Sequence, residues 1–319
     1  MIAKSCNTVD IVIPLYNEEL GLVSFNNSLW HILLSLPYEC RVFYVNDGST
    51  DSTSAIIESL IQTHDNIFHV CLSRNFGHQA ALTAGLELAD ADIIISMDGD
   101  GQHPPDLIPD LIRNYLAGND VVLTHRKRQD DVGRFKRISS RVFYALLNVV
   151  SEIPIQPSSS DFRLISRNAL AGLRRMPEYH RFLRGLVPWL GFSTTTVSFD
   201  APKRIAGVTS YTFGKMLRLA FHAVMSFSHT PLRFAPYSTL AWLGLVIGAG
   251  LKRPAKRTGP DSINASQSRT LLYLITFACS IILISQTILS SYMGFVWNEV
   301  RRRPIYIIDY DNSFLPRNK

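Results

Sequence analysis

Asp92–Met97 (DIIISM) runs straight into Asp98–Pro105 (DGDGQHPP). A short, almost wholly apolar run suits a strand buried on both faces, and the glycines and acids behind it mark where the strand leaves its sheet. The same pattern recurs on the N-terminal side at Asp10–Leu15 (DIVIPL), Arg41–Asn46 (RVFYVN) and Ile67–Leu72 (IFHVCL), and again at Asp120–Thr124 (DVVLT). Between these runs lie Leu20–Leu36, Asp51–Thr63, His78–Ala89 and Pro105–Ala117, whose apolar residues fall at helical spacing. Alternating strand and helix predicts right-handed crossovers and an open, mostly parallel α/β sheet flanked by helices. Ligands of such sheets bind beyond the carboxyl ends of the strands. The loops after the strands are therefore where the chemistry should lie.

Asp98 and Asp100 are two residues apart, so on an extended chain they point the same way. Paired carboxylates repel unless a cation joins them, and Mg²⁺ or Mn²⁺ commonly bridges carboxylates to substrate phosphates. Gln102 adds a neutral oxygen, and Gly99 and Gly101 would let a diphosphate approach the backbone. An acidic turn with no ligand is the plainer reading of such a string; its place at a strand end favours metal and diphosphate. After the second strand, Asn46-Asp47-Gly48-Ser49 leaves Asp47 either to accept hydrogen bonds from a base or ribose or merely to stabilise the turn. Asp51 or Ser52 is placed to cap the following helix. The first strand leads into Pro14-Leu15-Tyr16-Asn17-Glu18 without a G-x-G-x-x-G fingerprint, which weakens a nicotinamide-cofactor reading. Arg126, Arg128, Arg134, Lys136, Arg137 and Arg141 form a basic run that is either a solvated face or a phosphate-binding surface. Asp161, in Ser160–Leu164 (SDFRL), is either a helix cap or an active-site carboxylate.

The chain has 319 residues, 46% of them hydrophobic and 18% charged, which excludes disordered and fibrous classes. The net charge of +6 suits anionic partners such as phosphates or lipid headgroups. No recognition helix or stacking-aromatic motif accompanies it, so nucleic acid is not expected. The four cysteines lie far apart without a C-x-x-C pair, which argues against a disulfide framework or a zinc site. The N-terminus does not read as a secretory signal, since Asp10 precedes any long apolar core.

The last third of the chain changes character. Phe234–Leu251 and Thr270–Asn298 carry no charged residue. A bilayer span needs about 20 apolar residues, so the second run qualifies and the first only marginally. The expected organisation is a catalytic domain over 1–213, an amphipathic juxtamembrane helix over 214–233, a first membrane segment over 234–251, a basic linker over 252–269, a transmembrane helix over 270–298 and a basic tail over 299–319. Charge leaves the topology in conflict. Two spans would put Arg233 and Arg301–Arg303 on one face, as the positive-inside rule favours, yet Lys252, Arg253, Lys256, Arg257 and Arg269 would then face outward.

Six motifs in order carry a resemblance: Pro14–Glu18, Asp47–Ser49, Arg74–Gly77, Asp98–Pro105, Asp161–Leu164 and Arg204 to Gly207. Together they resemble glycosyltransferase family 2, and most of all its polyprenyl-phosphate glycosyltransferases, the dolichol-phosphate mannose synthases and bactoprenol glucosyltransferases. The ending Val300–Ile308 (VRRRPIYII) is similar to that of bacterial members. The resemblance implies a GT-A fold on the cytoplasmic face of a bacterial inner membrane. It implies inverting transfer of a sugar from a nucleotide diphosphate to a polyprenyl phosphate, such as undecaprenyl phosphate, for cell-envelope or O-antigen glycans, with Mg²⁺ or Mn²⁺ as cofactor. By the same correspondence Pro14, Tyr16, Asn17, Glu18, Asp47, Asp98 and Arg204 bind the donor, and Asp98, Asp100 and Gln102 hold the metal. Arg126, Lys136 and Ser140 take the acceptor phosphate, and Asp161, Asp100 and Arg126 are catalytic. Three departures stand out: Asn46 where Asp is usual, Ser210 where Lys is common, and the unusual 252–269 linker. The competing expectations are a membrane-anchored nucleotide-sugar-binding or scaffold protein without turnover, and a processive synthase, against which the absence of a Q-x-x-R-W string speaks. Self-association through the tail is a further expectation.

Overall fold

A computed structural model describes residues 4, 6–127, 159–179, 181–200, 202, 230–251 and 260–316. Two compact units divide the chain. One holds the sheet together with the residues from Arg303 onward, and the other holds the C-terminal helices as far as Arg302.

The sheet unit contains seven strands in the order β3-β2-β1-β4-β6-β5-β7. β1 (Thr8–Leu15), β2 (Glu39–Asn46), β3 (Ile67–Cys71), β4 (Ile93–Ser96) and β5 (Val121–Arg126) coincide with the five expected strands. The helices α1 (Leu22–Leu33), α2 (Thr53–Ile61), α3 (His78–Leu88) and α4 (Ile108–Leu116) coincide with the four expected between them. β1 is buried from Val9 to Leu15, because helices cover both faces. Ile11, Ile13 and Val42 share a core with Leu22, Phe25 and Leu29 of α1 and Leu111 and Ile112 of α4. On the opposite face α3 lies so close that a Cβ on Gly85 would stand 2.3 Å from Val12 Cγ1.

Two strands were not expected, and one of them builds the site. β6 (Ser159–Ser166) runs antiparallel between β4 and β5, with Ser96 opposite Arg163 and His125 opposite Ser159. Its direction delivers its first residues to the rim where the parallel strands end. Asp161 is therefore a strand residue and not a helix cap. β7 (Thr194–Phe199) closes the far edge parallel to β5. The helices α5 (Arg167–Arg174) and α6 (Leu183–Trp189) fill the connection between β6 and β7.

The tail expected over 299–319 is divided: its first residues belong to the long C-terminal helix, which runs to Arg301, and only the residues from Arg303 onward belong to this unit. The amide of His69 donates to Phe314 O (2.9 Å) and that of Phe314 to His69 O (2.8 Å); Asp309 N donates to Cys71 O (2.8 Å) and Ser73 N to Ile307 O (3.0 Å). Residues 307–314 thus lie antiparallel along the outer side of β3.

In the second unit a 3₁₀ turn (Thr230–Arg233) leads into α7 (Phe234–Leu251), and α8 spans Pro260–Arg301. α8 begins at Pro260 and not at Thr270, taking in the second part of the expected linker; proline is well suited to a first helical position. With 42 residues at about 1.5 Å each, α8 is about 63 Å long, twice the bilayer's hydrocarbon core of about 30 Å. Leu272–Arg301 is long and apolar enough to cross a membrane. Trp242 and Phe277 join α7 to α8 with ring centroids 5.4 Å apart. Arg301 lies over the Trp297 ring at 5.4 Å, an aromatic and basic pairing suited to a membrane interface.

Candidate active site

All candidate residues that the structure describes sit on one rim of the sheet, reached by the carboxyl ends of β1, β2, β4 and β5 and the start of β6. Lys136, Ser140 and Arg204 lie outside the described residues, as do Ser210 and segment 214–229.

The loops after β1 and β2 are zipped together. Asn17 adopts a left-handed backbone (φ 54°); its amide donates to Ser49 Oγ (3.0 Å) and its Oδ1 accepts from Thr50 N (2.8 Å). Glu18 N donates to Thr53 Oγ1 (3.0 Å), and Ser52 N donates to Glu19 Oε2 (3.0 Å). Asp51, not Ser52, supplies the side-chain cap of α2, accepting from Thr53 N at 3.0 Å. Pro14 is buried inside β1, beyond the point where pairing with β4 stops, so its missing N–H leaves no partner unmet. Tyr16, two residues on, is 46% exposed at the rim. Asn46 is buried, and its Oδ1 accepts from Ser49 N (2.9 Å), so the residue at this position holds the turn.

Asp47 is buried, and both its oxygens accept from the backbone: Oδ1 from Phe76 N (2.7 Å) and Oδ2 from Gly77 N (2.9 Å). Burial pushes its pKa up against the pull of those two amides. Its direct work is to bind the Arg74–Gly77 loop to the β2 turn. Gly48 makes the approach possible, since a Cβ there would meet Arg74 C at 2.5 Å.

The acidic loop departs from the extended geometry expected of it. β4 ends at Ser96, and Asp98 and Asp100 lie in the bend beyond, where Gly101 takes a positive φ of 78°. Among the described residues Asp98 Oδ1 is buried and accepts no hydrogen bond, and His78 Nε2 stands 3.5 Å from it. An orphaned carboxylate oxygen costs desolvation energy unless a ligand meets it. Asp100 Oδ1 accepts from Gln102 N (3.0 Å), and Gln102 Oε1 accepts from Arg126 Nη1 (3.3 Å). Among the described residues no three His, Cys, Asp or Glu side chains converge as a closed metal cage. A hard cation here would use the two aspartates and complete its oxygens from phosphate and water, as Mg²⁺ commonly does.

Asp161 lies at the centre of the charge cluster. It is 2% exposed, and Arg163, itself 1% exposed, donates to its Oδ1. Arg184 of α6 grips both oxygens, with Nε at 3.2 Å from Oδ1 and Nη2 at 2.8 Å from Oδ2. Gln79 Nε2 (3.3 Å) and His78 Nε2 (3.4 Å) approach Oδ2. Burial works against ionisation, but Arg184, His78 and Arg163 outweigh it and hold the carboxyl well below the usual carboxylate range. His78 is raised in turn: Asp161 and Asp98 overcome the opposing effect of its burial. His103 is held low by burial and is neutral. Its Nδ1 accepts the Asp98 amide (2.8 Å), which places the proton on Nε2, 2.6 Å from Ser160 Oγ. The acidic loop is thereby tied to β6.

Sequence reasoning missed His78, His103 and Arg184 as site residues. His103 lies within the Asp98–Pro105 motif and His78 directly follows Arg74–Gly77, whereas Arg184 had no local signal beyond an arginine in an apolar helix.

The profile of glycosyl transferase family 2 matches residues 10–174. An uncharacterised glycosyltransferase of Synechocystis is 33% identical over 98% of each chain. The prophage-derived bactoprenol glucosyl transferase of Shigella flexneri is 34% identical, covering 94% of this chain and 97% of its own length. A prophage bactoprenol glucosyl transferase homolog of Escherichia coli is 35% identical over 94% and 98% respectively. Among solved structures, mannosyl-3-phosphoglycerate synthase from Rubrobacter xylanophilus aligns at 14% identity and a TM-score of 0.46, covering 81% of this chain and 80% of that one.

Asp161→Asn leaves two guanidiniums facing each other without their shared anion. Breaking such a buried pair costs about 3–5 kcal/mol, so thermal unfolding at pH 7 should show a markedly lower Tm for the variant. Because the folded pKa is depressed, this stabilisation is present above the unfolded carboxyl pKa of about 3.9 and is lost as pH falls through the lower folded value. The Tm gap between the two proteins should therefore hold from pH 8 to pH 5 and narrow only in stronger acid. A gap that closes near neutrality would contradict the ionised assignment.

Proposed function

The chain belongs to glycosyltransferase family 2, and from that premise we propose that it transfers a sugar from a nucleotide diphosphate to a polyprenyl phosphate, with inversion, at a membrane face. The observation that carries the reading is Asp98 Oδ1, buried and without a donor among the described residues, beside Asp100 on the rim that Arg126 also reaches. The near full-length likeness to proteins named bactoprenol glucosyl transferase supports the polyprenyl acceptor.

Asp98 and Asp100 fit Mg²⁺ or Mn²⁺ in donor chemistry, and Gln102 stands behind them. When bound, that ion supplies Lewis-acid charge to the departing diphosphate. Tyr16 offers an exposed ring to the donor base, and Asn17, Glu18 and Asp47 shape the wall beneath it. Pro14 supports that wall from within β1. The acceptor is a phosphate monoester with a second pKa of about 6, so near pH 7 it is largely a dianion and a competent nucleophile. One acceptor oxygen forms a bond to the anomeric carbon as that carbon's bond to the diphosphate oxygen breaks, and the nucleoside diphosphate leaves from the opposite face.

No proton need be removed, and Asp161 is a poor base for removing one. Its role is electrostatic: it aligns Arg184 and Arg163 and keeps the site from accumulating excess positive charge. Arg126, steadied by Gln102, positions the acceptor phosphate, with Lys136 and Ser140 beside it by family correspondence. Arg204 takes the donor diphosphate by the same correspondence. The cellular role we propose is cell-envelope or O-antigen glycan modification.

Connectivity supports a membrane topology. The helices α7 and α8 belong to a unit separate from the sheet, and the chain re-enters the sheet unit at Arg303, where residues 307–314 pair with β3. Departure from and return to one domain supports an even number of crossings, with α7 and α8 as a hairpin. Arg301–Arg303 at the return point favour the cytoplasmic side of a bacterial inner membrane. A fluorescent-protein fusion at the C-terminus and an alkaline-phosphatase fusion after Thr258 should both be active in bacteria. An inactive phosphatase fusion would point to a single crossing or none.

In membranes supplied with radiolabelled nucleotide sugar, Asp100→Ala should lower transfer into organic-extractable lipid at least about a hundredfold, as loss of a charge-stabilising group does. EDTA should do the same to the wild type. Arg126→Ala should chiefly raise the KM for the lipid phosphate. Near-normal transfer by Asp100→Ala would overturn the metal assignment.

A further inference from the structure

β3 is an edge strand, and its outward-facing backbone groups at His69 and Cys71, with the N–H of Ser73 just beyond, are met by the C-terminal segment. His69 exchanges both of its bonds with Phe314, Cys71 O accepts from Asp309 N, and Ser73 N donates to Ile307 O. Cys71 N, which meets no backbone carbonyl, donates instead to Ser313 Oγ (2.9 Å). The Asp309–Ser313 turn makes that possible: Asn312 Nδ2 donates to Asp309 Oδ2 (2.8 Å), and Ser313 Oγ donates to Asp309 O (2.5 Å). Phe314 stacks on Phe68 with centroids 6.1 Å apart. A merely protective edge cover would need none of this side-chain specificity; charge or a bulge would suffice.

The effect of the contact reaches past Ser73. From there the chain continues through Arg74–Gly77, whose last two amides are the donors that hold Asp47, and then into α3 at His78. Ile307 fixes the entry to this loop at Ser73, and Asp47 fixes its exit. At the far end of α3, Tyr306 Oη donates to Glu87, which also pairs with Arg181 (3.0 Å). Tyr306–Phe314 therefore grips both the loop before α3 and the end of α3 itself. His78, whose ring stands between Asp98 and Asp161, is the first residue of that helix.

We propose that Tyr306–Phe314 is a positioning strap for the donor half of the site: by clamping Ser73 and Glu87 it holds the Arg74–Gly77 loop, and through it Asp47, in the conformation that receives the nucleotide. The assignment of that wall to the donor rests on the function proposed above. Because the strap begins a few residues after α8 ends, where Arg302 takes a left-handed φ of 48°, the donor wall is tied covalently to the end of the membrane helix.

The test uses the full-length protein with two variants, Ser313→Ala and Ser313→Ala/Phe314→Ala. The milder one removes a single hydroxyl and so retains the fold. Amide hydrogen exchange without substrate is measured at Ser73, Phe76 and Gly77, with Val12 and Ile95 as internal references. One lost hydrogen bond of about 1 kcal/mol corresponds to roughly fivefold faster exchange for the single variant, and the double variant should exceed tenfold, with the references unchanged. In the transfer assay both variants should raise the KM for the nucleotide sugar and leave kcat and the lipid-phosphate KM within about twofold, the pattern of lost ground-state binding. Faster exchange at His69 and Cys71 alone, with Phe76 and Gly77 unmoved, would overturn the strap and leave a plain edge cover. Loosened Phe76 and Gly77 with an unchanged nucleotide-sugar KM would overturn it equally. Failure of the broader functional reading is distinguishable, because it shows as absent lipid labelling by the wild-type protein whatever the exchange data say.

Discussion

A carboxylate buried between two guanidiniums sets the terms for everything else at this site. Asp161 is 2% exposed, and Arg163 and Arg184 reach it from β6 and α6. Ion pairs so deeply placed gain little net stability, because desolvation offsets attraction, but they fix geometry, since any displacement strands a charge. Here the fixed geometry includes the backbone of β6, whose Asp161 carbonyl accepts from Ser96 Oγ at 2.6 Å on β4. The acidic loop leaving β4 is thus referenced to the same point twice, through Ser96 and through His103.

That arrangement also decides the kind of catalysis the rim can support. A carboxylate that accepts from two arginines, a glutamine and a histidine is a weak base. Chemistry that depends on deprotonating a sugar hydroxyl would be poorly served by it. An acceptor that arrives already ionised has no such need and requires cations; Arg126 and Arg184 stand on the rim, and the ion proposed for Asp98 and Asp100 would add to them. The lipid anchor of the proposed acceptor accords with a chain whose last long helix is long and apolar enough to cross a bilayer.

Much of the fold could be read from the chain alone, for a physical reason. β1 to β4 are buried on both faces, and continuous apolar runs such as DIIISM cannot be mistaken for polar loops. β6 escaped notice because its inward residues include Asp161 and Arg163, a charged pair that breaks the apolar pattern although both are buried. β7 (TTTVSF) is a largely polar edge strand with little to mark it. The tail's pairing with β3 was invisible because it joins residues more than two hundred positions apart. At the site, residue types were legible and partners were not. Asp47 binds loop amides with both oxygens, Gln102 turns its oxygen to Arg126, and Arg184 meets Asp161 across a connection that local spacing does not encode. The parallel carboxylates expected of an extended D-x-D became a bend, because the strand ends two residues earlier.

The measurement that bears most directly on this account is a ¹³C NMR titration of the Asp161 carboxyl, assigned by comparison with Asp161→Asn. A carboxylate signal that stays in its ionised position from pH 8 down to pH 5, with the onset of protonation below the usual carboxylate range, is the predicted result. A midpoint between pH 6 and 8 would make Asp161 a candidate general base and contradict the account.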